Sequence, residues 1–382
     1  MGSPRAASAQ PSATTSDLLI LGGGIIGLAA AREATRAGLS VRLLERDRPG
    51  CEASSAAAGM LGAQVEADGP GPLLELALAG RDLYPDFIAG LRAECEIDPG
   101  YLDHGTLVVA RHPSALESLR EQERFQRAAG WTLERLDGDE VRRLEPSLSG
   151  EILAGLYFRR DGSVDNAALV RALASAAIRS GVALHAGLPA SRLIIEGGAV
   201  HGAEAGGRRF TAGAVLIAAG AWSGDVVGEG LQPLPTHPVR GQILSLAAAA
   251  PRQIVVDDAC YLVPRGNGRV LVGSTMEEVG FDRRITAEGI AGLAAAASAL
   301  VPALAEAPIL SGWAGLRPAT GDGLPAIGPG ALPGLYYACG HLRHGILLAP
   351  ITARLIVRLL RGEPPGHDLT AFDPRRFASR SA

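Results

Sequence analysis

Apolar positions fall in a short run near the start of the chain and then at helical spacing. Residues 17–21 (DLLIL) form the run, glycines follow, residues 25–37 carry the helix-forming Ala29, Ala30 and Ala31, and residues 41–44 are apolar again. That order predicts strand, turn, helix, strand. Over residues 73–148 the pattern changes to charged, helix-like stretches such as SALESLREQERFQRAAG, broken by the strand-like TLVVA at 106–110. This region reads as a separate lobe or a helical insertion. Residues 167–181 (AALVRALASAAIRSG) read as a helix, 185–205 as short strands, and 214–220 (AVLIAAG) as a buried strand returning to the first unit. Residues 236–282 alternate apolar and polar positions in QILSL, CYLVPR and RVLVGST, with Gly, Pro and Asn between them. This predicts an antiparallel sheet flooring a second unit. An Ala-rich helix over 286–304 with a Thr286 cap, a strand in GLYYACG and a closing helix at 345–360 complete the pattern.

Composition narrows the picture. A chain of 382 residues exceeds one simple core and fits two domains. Its 36 basic and 40 acidic residues are interspersed and leave a formal charge of -4, so no cationic face for nucleic acid is expected. Cys51, Cys95, Cys260 and Cys339 lie far apart without a CxxC pair. That argues against a metal site or a disulfide framework and suits a reducing cytoplasm. Residues 1–16 are small and polar and read as a disordered tail. The closing helix contains Pro350, Arg354 and Arg358 and is too short for a membrane span, so it reads as an amphipathic packing helix and no membrane partner is expected.

Gly22, Gly24 and Gly27 fit G-x-G-x-x-G between the first strand and its helix, and Glu45 ends the next strand eighteen residues after Gly27. The first glycine permits the tight turn, the second lets a pyrophosphate approach the backbone, and the third lets the helix pack on the strand. Free amides and the helix dipole then face the anion, as in a Rossmann-type βαβ unit. Glu45 is placed to accept from ribose hydroxyls and disfavours a 2′-phosphate. The plainer alternative is a βα turn whose glycines serve packing alone. Nothing in the motif separates FAD from NAD, since both carry the ADP half.

Later motifs go further. SSAAAGMLG at 54–62, WAGLRPAT at 313–320, DGLPAIG at 322–328 and GHLRHGILLAP at 340–350 resemble the D-amino-acid oxidase superfamily of FAD-dependent oxidoreductases. Within it the likeness is greatest to the branch that oxidises glycine in thiamine biosynthesis, and it runs from about residue 17 to residue 361 in the same order. The resemblance implies FAD and an α/β fold. A Rossmann-type FAD-binding domain, with a parallel sheet between helices and a small β-meander, would join an α+β substrate domain with a large antiparallel sheet. It would take residues 17–75, 150–232 and 310–365 for the first domain and 76–149 and 233–309 for the second, leaving 366–382 as a C-terminal tail.

Residue by residue, the resemblance implies that Gly22, Gly24, Ile25, Ile26 and Gly27 cradle the pyrophosphate and that Glu45 and Arg46 hold the adenosine ribose. Ala53 and Ser54 would lie on the phosphate side, with Ala58, Gly59 and Met60 beside the flavin ring and Ala190 at the adenine end. His341, Leu342, Arg343, His344, Gly345, Ile346 and Leu347 would form the loop and helix start facing the flavin C2 carbonyl, where positive dipole stabilises the anionic reduced ring. For substrate, Arg317 of GLRP would grip a carboxylate with its planar fork, which Lys does not reproduce. Tyr261 of CYLVPR would add a hydroxyl, Arg343 would line the site from the flavin side, and Met276 of VGSTM would narrow the pocket. Each has a plainer reading: Arg317 in a surface ion pair, Tyr261 with its hydroxyl in water, Met276 as core filling.

Two departures stand out. His344 replaces a smaller amide after the loop arginine and reads as a solvent-facing histidine. No cysteine follows the GLRP arginine, so the covalent attachment of the similar sarcosine oxidases is not expected, and Cys339 reads as a small core residue. No Ser/His/Asp or Cys/His set is visible, so the chemistry falls to the cofactor. The resemblance implies oxidative deamination of glycine, sarcosine or small D-amino acids, with molecular oxygen as acceptor and the 2-oxo acid, ammonia and hydrogen peroxide as products. It also implies a homo-oligomer. A D-amino-acid or sarcosine oxidase and a dehydrogenase serving a quinone remain open, whereas the arginine clamp together with the flavin loop argues against an NAD-dependent dehydrogenase and a non-catalytic flavin-binding subunit.

Overall fold

The computed structural model describes residues 14–67 and 69–378. It opens with β1 (Thr14–Leu21), α1 (Ile25–Arg36) and β2 (Val41–Leu44), the order that the apolar pattern predicts. A one-turn α2 (Ala53–Ala56), a short β3 (Met60–Leu61), α3 (Pro72–Asp82) and α4 (Tyr84–Glu94) follow. TLVVA is β4 (Thr106–Ala110), ahead of α5 (Pro113–Ala128), β5 (Glu134–Asp137) and α6 (Gly138–Leu144). Then come β6 (Ala154–Phe158), β7 (Gly162–Ser163), α7 (Asn166–Arg179) and β8 (Ala183–His185). The strands β9 (Ala190–Glu196), β10 (Ala199–Ala205) and β11 (Arg208–Ile217) lead to β12 (Thr236–Ala247), β13 (Ile254–Val256), β14 (Tyr261–Arg265) and β15 (Arg269–Gly273). Last are α8 (Ala287–Leu300), β16 (Ile309–Thr320), β17 (Ala326–Pro329), β18 (Leu335–Cys339) and α9 (Gly345–Leu360). Helix α8 starts where the Thr286 side chain accepts from Gly289 N, but stops at Leu300 instead of 304. Pro302 lacks an amide and restricts Val301 before it.

Among the described residues the strands form two eight-stranded sheets and one two-stranded ribbon. The first sheet has a parallel core in the order β18-β11-β1-β2-β8, with β17 antiparallel at one edge and β9 and β10 forming an antiparallel meander onto β11. Residues 18–21 of β1 read as an unbroken apolar run because both faces are covered there. Leu18 and Ile20 pack among α1, α7 and α9, while Leu19 and Leu21 pack under the meander. The second sheet runs β16-β12-β15-β14-β13-β4-β6-β5 and is antiparallel except for the β13–β4 pair. Alternation sends Leu244, Leu262 and Val272 against α8, and Ile243, Val263 and Leu271 toward the first unit. Among the described residues no helix is long and apolar enough to cross a membrane.

Several stretches fall differently from the boundaries expected on sequence. Residues 1–13 of the expected tail lie outside the described residues, whereas Thr14–Ser16 extend β1 by pairing with β11. Strands β6 and β16 join the second sheet, because each is hydrogen-bonded along its length to strands there. Helices α3 and α4 turn Leu76, Ala77, Tyr84, Ile88 and Leu91 into the core of the first unit. In the C-terminal segment Phe372 is buried in that same core and Arg376 binds Asp322 at 2.8 Å.

Candidate functional site

A cavity of about 400 Å³ lies outside the carboxyl ends of β1, β2, β11 and β18 and against the face of the second sheet. Gly22 forms the turn out of β1 with φ 112°, and a Cβ there would overlap the Ala218 carbonyl oxygen. Its amide donates to Leu44 O at 2.8 Å. Helix α1 therefore begins with its amino end against the cavity, which Gly22, Gly24, Ile25 and Ile26 all line. Ser54 Oγ accepts from Ile25 N at 2.9 Å and ties α2 across that helix mouth. Gly27 stands behind the cavity wall, where a Cβ would overlap the Gly22 carbonyl oxygen, so its role is to seat the helix on the turn.

Glu45 lines the cavity and also stiffens the cradle, taking the amides of Gly23 at 2.7 Å and Asp47 at 2.8 Å. Beside it Arg46 pairs with Glu52 at 3.1 Å and lays its guanidinium 4.0 Å from the ring centre of Trp222. Pro189 and Ala190 line the same cavity. Trp222 belongs to no periodic pattern in the sequence: it lies after β11 in a short 3-10 helix, Gly220–Asp225. Ala53, Ser54, Ala58, Gly59 and Met60 form another stretch of the wall, anchored where Trp313 Nε1 donates to Ala56 O at 3.0 Å.

At the start of α9, His341, Leu342, Arg343, Gly345 and Ile346 line the cavity, while His344 and Leu347 do not. Leu342 holds φ 45°, a strained value for a branched side chain, and its amide is fixed to Pro318 O at 2.8 Å. The first-turn amides of α9 have no earlier carbonyl within the helix and leave positive dipole at this wall. His341 is 2% exposed, with Nε2 3.1 Å from Thr352 Oγ1. Burial and the neighbouring His344 push its pKa down to about 3, so the ring is neutral. His344 is not the solvent-facing residue expected: it is buried, with Nδ1 3.5 Å from Glu66 Oε2. The loop of residues 62–67 brings Glu66 against it.

The second sheet supplies the polar groups of the remaining wall. Arg317 on β16 lies flat over Gly241, where a Cβ would collide with the guanidinium, and donates to Ser274 Oγ at 2.5 Å and Thr275 O at 3.1 Å. It forms no ion pair among the described residues, which leaves its charge facing the cavity rather than in a surface salt bridge. Tyr261 on β14 covers Gly273 in the same way. Burial pushes its hydroxyl pKa up, and Arg317 and Ser274 pull it back. Arg343 lies 3.7 Å from Glu66 Oε2, a carboxylate in the wall that sequence reasoning missed. Met276 is not among the lining residues and is 55% exposed. Thr275 and Glu277 on either side turn inward and bond each other at 2.5 Å, so alternation turns Met276 outward.

Dinucleotide-binding proteins of the Rossmann class bind at such strand ends, and this chain is built as one of them. Comparison with known proteins narrows the class. Residues 17–359 match the DAO family of FAD dependent oxidoreductases, and the chain belongs to that family. FAD is its cofactor, and the chain fits it: the tight turn at Gly22 has no room for a side chain against Ala218, Gly24, Ile25 and Ile26 line the helix mouth, and two helix amino ends face one cavity. The chain is similar to a glycine oxidase of Geobacillus kaustophilus (strain HTA426), 36% identical over 369 residues, 95% of this chain and 98% of that one. It is 37% identical over 374 residues to a bifunctional protein ThiO/ThiG of Synechocystis sp., covering 95% of this chain and 54% of that longer relative. The crystal structure of glycine oxidase from Geobacillus kaustophilus matches with a TM-score of 0.91 at 34% identity, covering 97% of this chain and 100% of that one.

Proposed function

We propose that the protein oxidises glycine and similarly small amines such as sarcosine and small D-amino acids. With glycine, one molecule each of glycine, oxygen and water gives glyoxylate, ammonia and hydrogen peroxide. Arg317 carries the reading: an un-ion-paired guanidinium held flat in a cavity wall beside the hydroxyl of Tyr261 suits a substrate carboxylate. A small substrate so gripped presents its α-carbon in one orientation, and positioning supplies much of the acceleration. When bound, FAD supplies the acceptor for the α-hydride.

The neutral amine is the reactive form, and no protein base is required. His341 stays uncharged and serves as a packed support for the α9 loop. Gly24, Ile25 and Ile26 would hold the pyrophosphate, Glu45 and Arg46 the ribose and Ala190 the adenine end. Residues 58–60 and the start of α9 would flank the flavin. Noncovalent attachment is supported by the lack of a cysteine after the GLRP arginine and by burial, which pushes the Cys339 thiol up to about 12 and raises the Cys51 thiol as well. Likeness to the ThiO/ThiG protein supports a role supplying glycine imine for thiazole synthesis. The free cysteines suit the cytoplasm.

Anaerobic mixing of the FAD-loaded protein with glycine is expected to bleach the flavin, and admission of air to release peroxide. Protein that stays yellow with glycine, sarcosine and D-alanine alike overturns the proposal.

A further inference from the structure

Alternation along β14 places Tyr261, Val263 and Arg265 on the same face of the second sheet, the one turned toward the cavity. Arg265 reaches across to the first unit. Its Nη1 donates to Val164 O at 2.8 Å, and its Nη2 to Ala58 O at 2.8 Å and Asn166 Oδ1 at 3.1 Å. Asn166 Nδ2 continues the chain of bonds to Ser54 O at 2.8 Å and Ser55 O at 3.0 Å. Val164 N in turn donates to Gly59 O at 2.9 Å. Two side chains thus fasten the segment of residues 54–59, which lines the cavity through Ser54, Ala58 and Gly59.

Arg265 forms no ion pair among the described residues. Asp165, whose charge it feels, is engaged as the cap of α7, accepting from Ala168 N at 2.9 Å. A guanidinium stays protonated even where burial disfavours it. Bonded to Ala58 O, it polarises the peptide and makes the Gly59 amide on the other side of that bond a stronger donor.

We propose that Arg265 is a positioning residue that, with Asn166, anchors the cofactor-facing segment 54–59, and that its positive charge raises the reduction potential of the bound flavin. The inference rests on FAD binding and not on which amine is oxidised.

The test uses FAD-loaded wild type, R265K, R265Q and N166A. It reads FAD release on dilution by flavin fluorescence, and midpoint potential by dye-linked reductive titration. All three variants are expected to release FAD at least about tenfold more readily, since each breaks part of the anchor. R265Q alone should shift its potential negative, by about 30 mV for a tenfold change in a two-electron equilibrium. R265K and N166A keep the charge and should match the wild type. A wild-type potential in R265Q overturns the charge role, and wild-type FAD retention in R265K and N166A overturns the anchoring role. Should R265Q hold no flavin, a lowered potential in R265K or N166A overturns the charge role instead. Wild type that took up no FAD would strike at the cofactor assignment before any variant is compared.

Discussion

The Tyr84 hydroxyl donates to the Ile346 carbonyl at 2.5 Å, across 262 positions of sequence. That carbonyl would ordinarily accept from the amide four residues later in α9, but residue 350 is proline and has none. Tyr84 on α4 replaces the missing donor from outside the helix and is fully buried in doing so. The Ile346 peptide belongs to the first turn of α9, the turn whose amides face the cavity. A fold-level contact therefore sets the aim of a functional helix end.

Tyr84→Phe should leave that carbonyl buried and unsatisfied, at about 1–3 kcal/mol. A thermal melt of the FAD-loaded protein should fall by a few degrees. Adding Pro350→Ala restores an amide four residues on and should recover part of the loss. A melting temperature unmoved by Tyr84→Phe would remove this bond from the account of how α9 is held.

Gly22→Ala should yield a protein that purifies with little flavin. The new methyl group overlaps Ala218 O, and φ 112° is unfavourable for any side chain. Flavin occupancy, read from visible absorbance against protein, should fall below about a tenth of wild type if the turn stores the strain expected there. Gly38→Ala is the control, since it has φ 87° but nothing within 4 Å of the added carbon. Equal flavin content in the two variants would mean that turn strain and not the cradle is being read.

Arg317→Lys should raise the KM for glycine about a hundredfold, because an ammonium cannot present two parallel donors to a carboxylate. The change should appear in peroxide release and in the concentration of acetate needed to perturb the flavin spectrum. Ser274→Ala, which removes one holder of the guanidinium, should act in the same direction and less strongly. A glycine KM unchanged by Arg317→Lys would take the residue out of the substrate site.

The parts of this site that could be read in the sequence are those fixed by local chain geometry. Gly22, Gly24, Gly27 and Glu45 show a spacing that a strand, a turn and a helix impose by themselves, and the DLLIL run shows a strand covered on both faces. Arg317 and Tyr261 carry no such local signal and stand out only through the motifs around them. Met276 lies in one of those motifs, yet inward bonding by Thr275 and Glu277 turns it out. Arg265 and Trp222 act through partners up to 207 positions away, so their roles are properties of the assembled fold. His344 illustrates the same limit, since its burial depends on where the loop of Glu66 settles.

Glu277 offers a prediction in which pH decides. Partial burial raises its carboxyl pKa, but hydrogen bonds from Arg240, Thr275 and Gln242 outweigh that and hold it down to about 2, against 4.5 for the free group. A depressed carboxyl stabilises the fold above its unfolded pKa and loses that contribution as pH falls from about 4.5 toward about 2. Glu277→Gln should therefore cost about 1–2 kcal/mol at pH 7, a modest figure because 26% of the side chain meets water. The gap in melting temperature between wild type and variant should narrow markedly at pH 3. His341, whose pKa is lowered by burial, also destabilises the fold in acid, since the unfolded state binds its proton first. That loss is common to both proteins and cancels in the difference. Because Thr275 bonds both Glu277 and Arg317, the variant should also raise the glycine KM severalfold. A gap of equal size at pH 7 and pH 3 would show that the Glu277 charge does not hold this corner of the cavity.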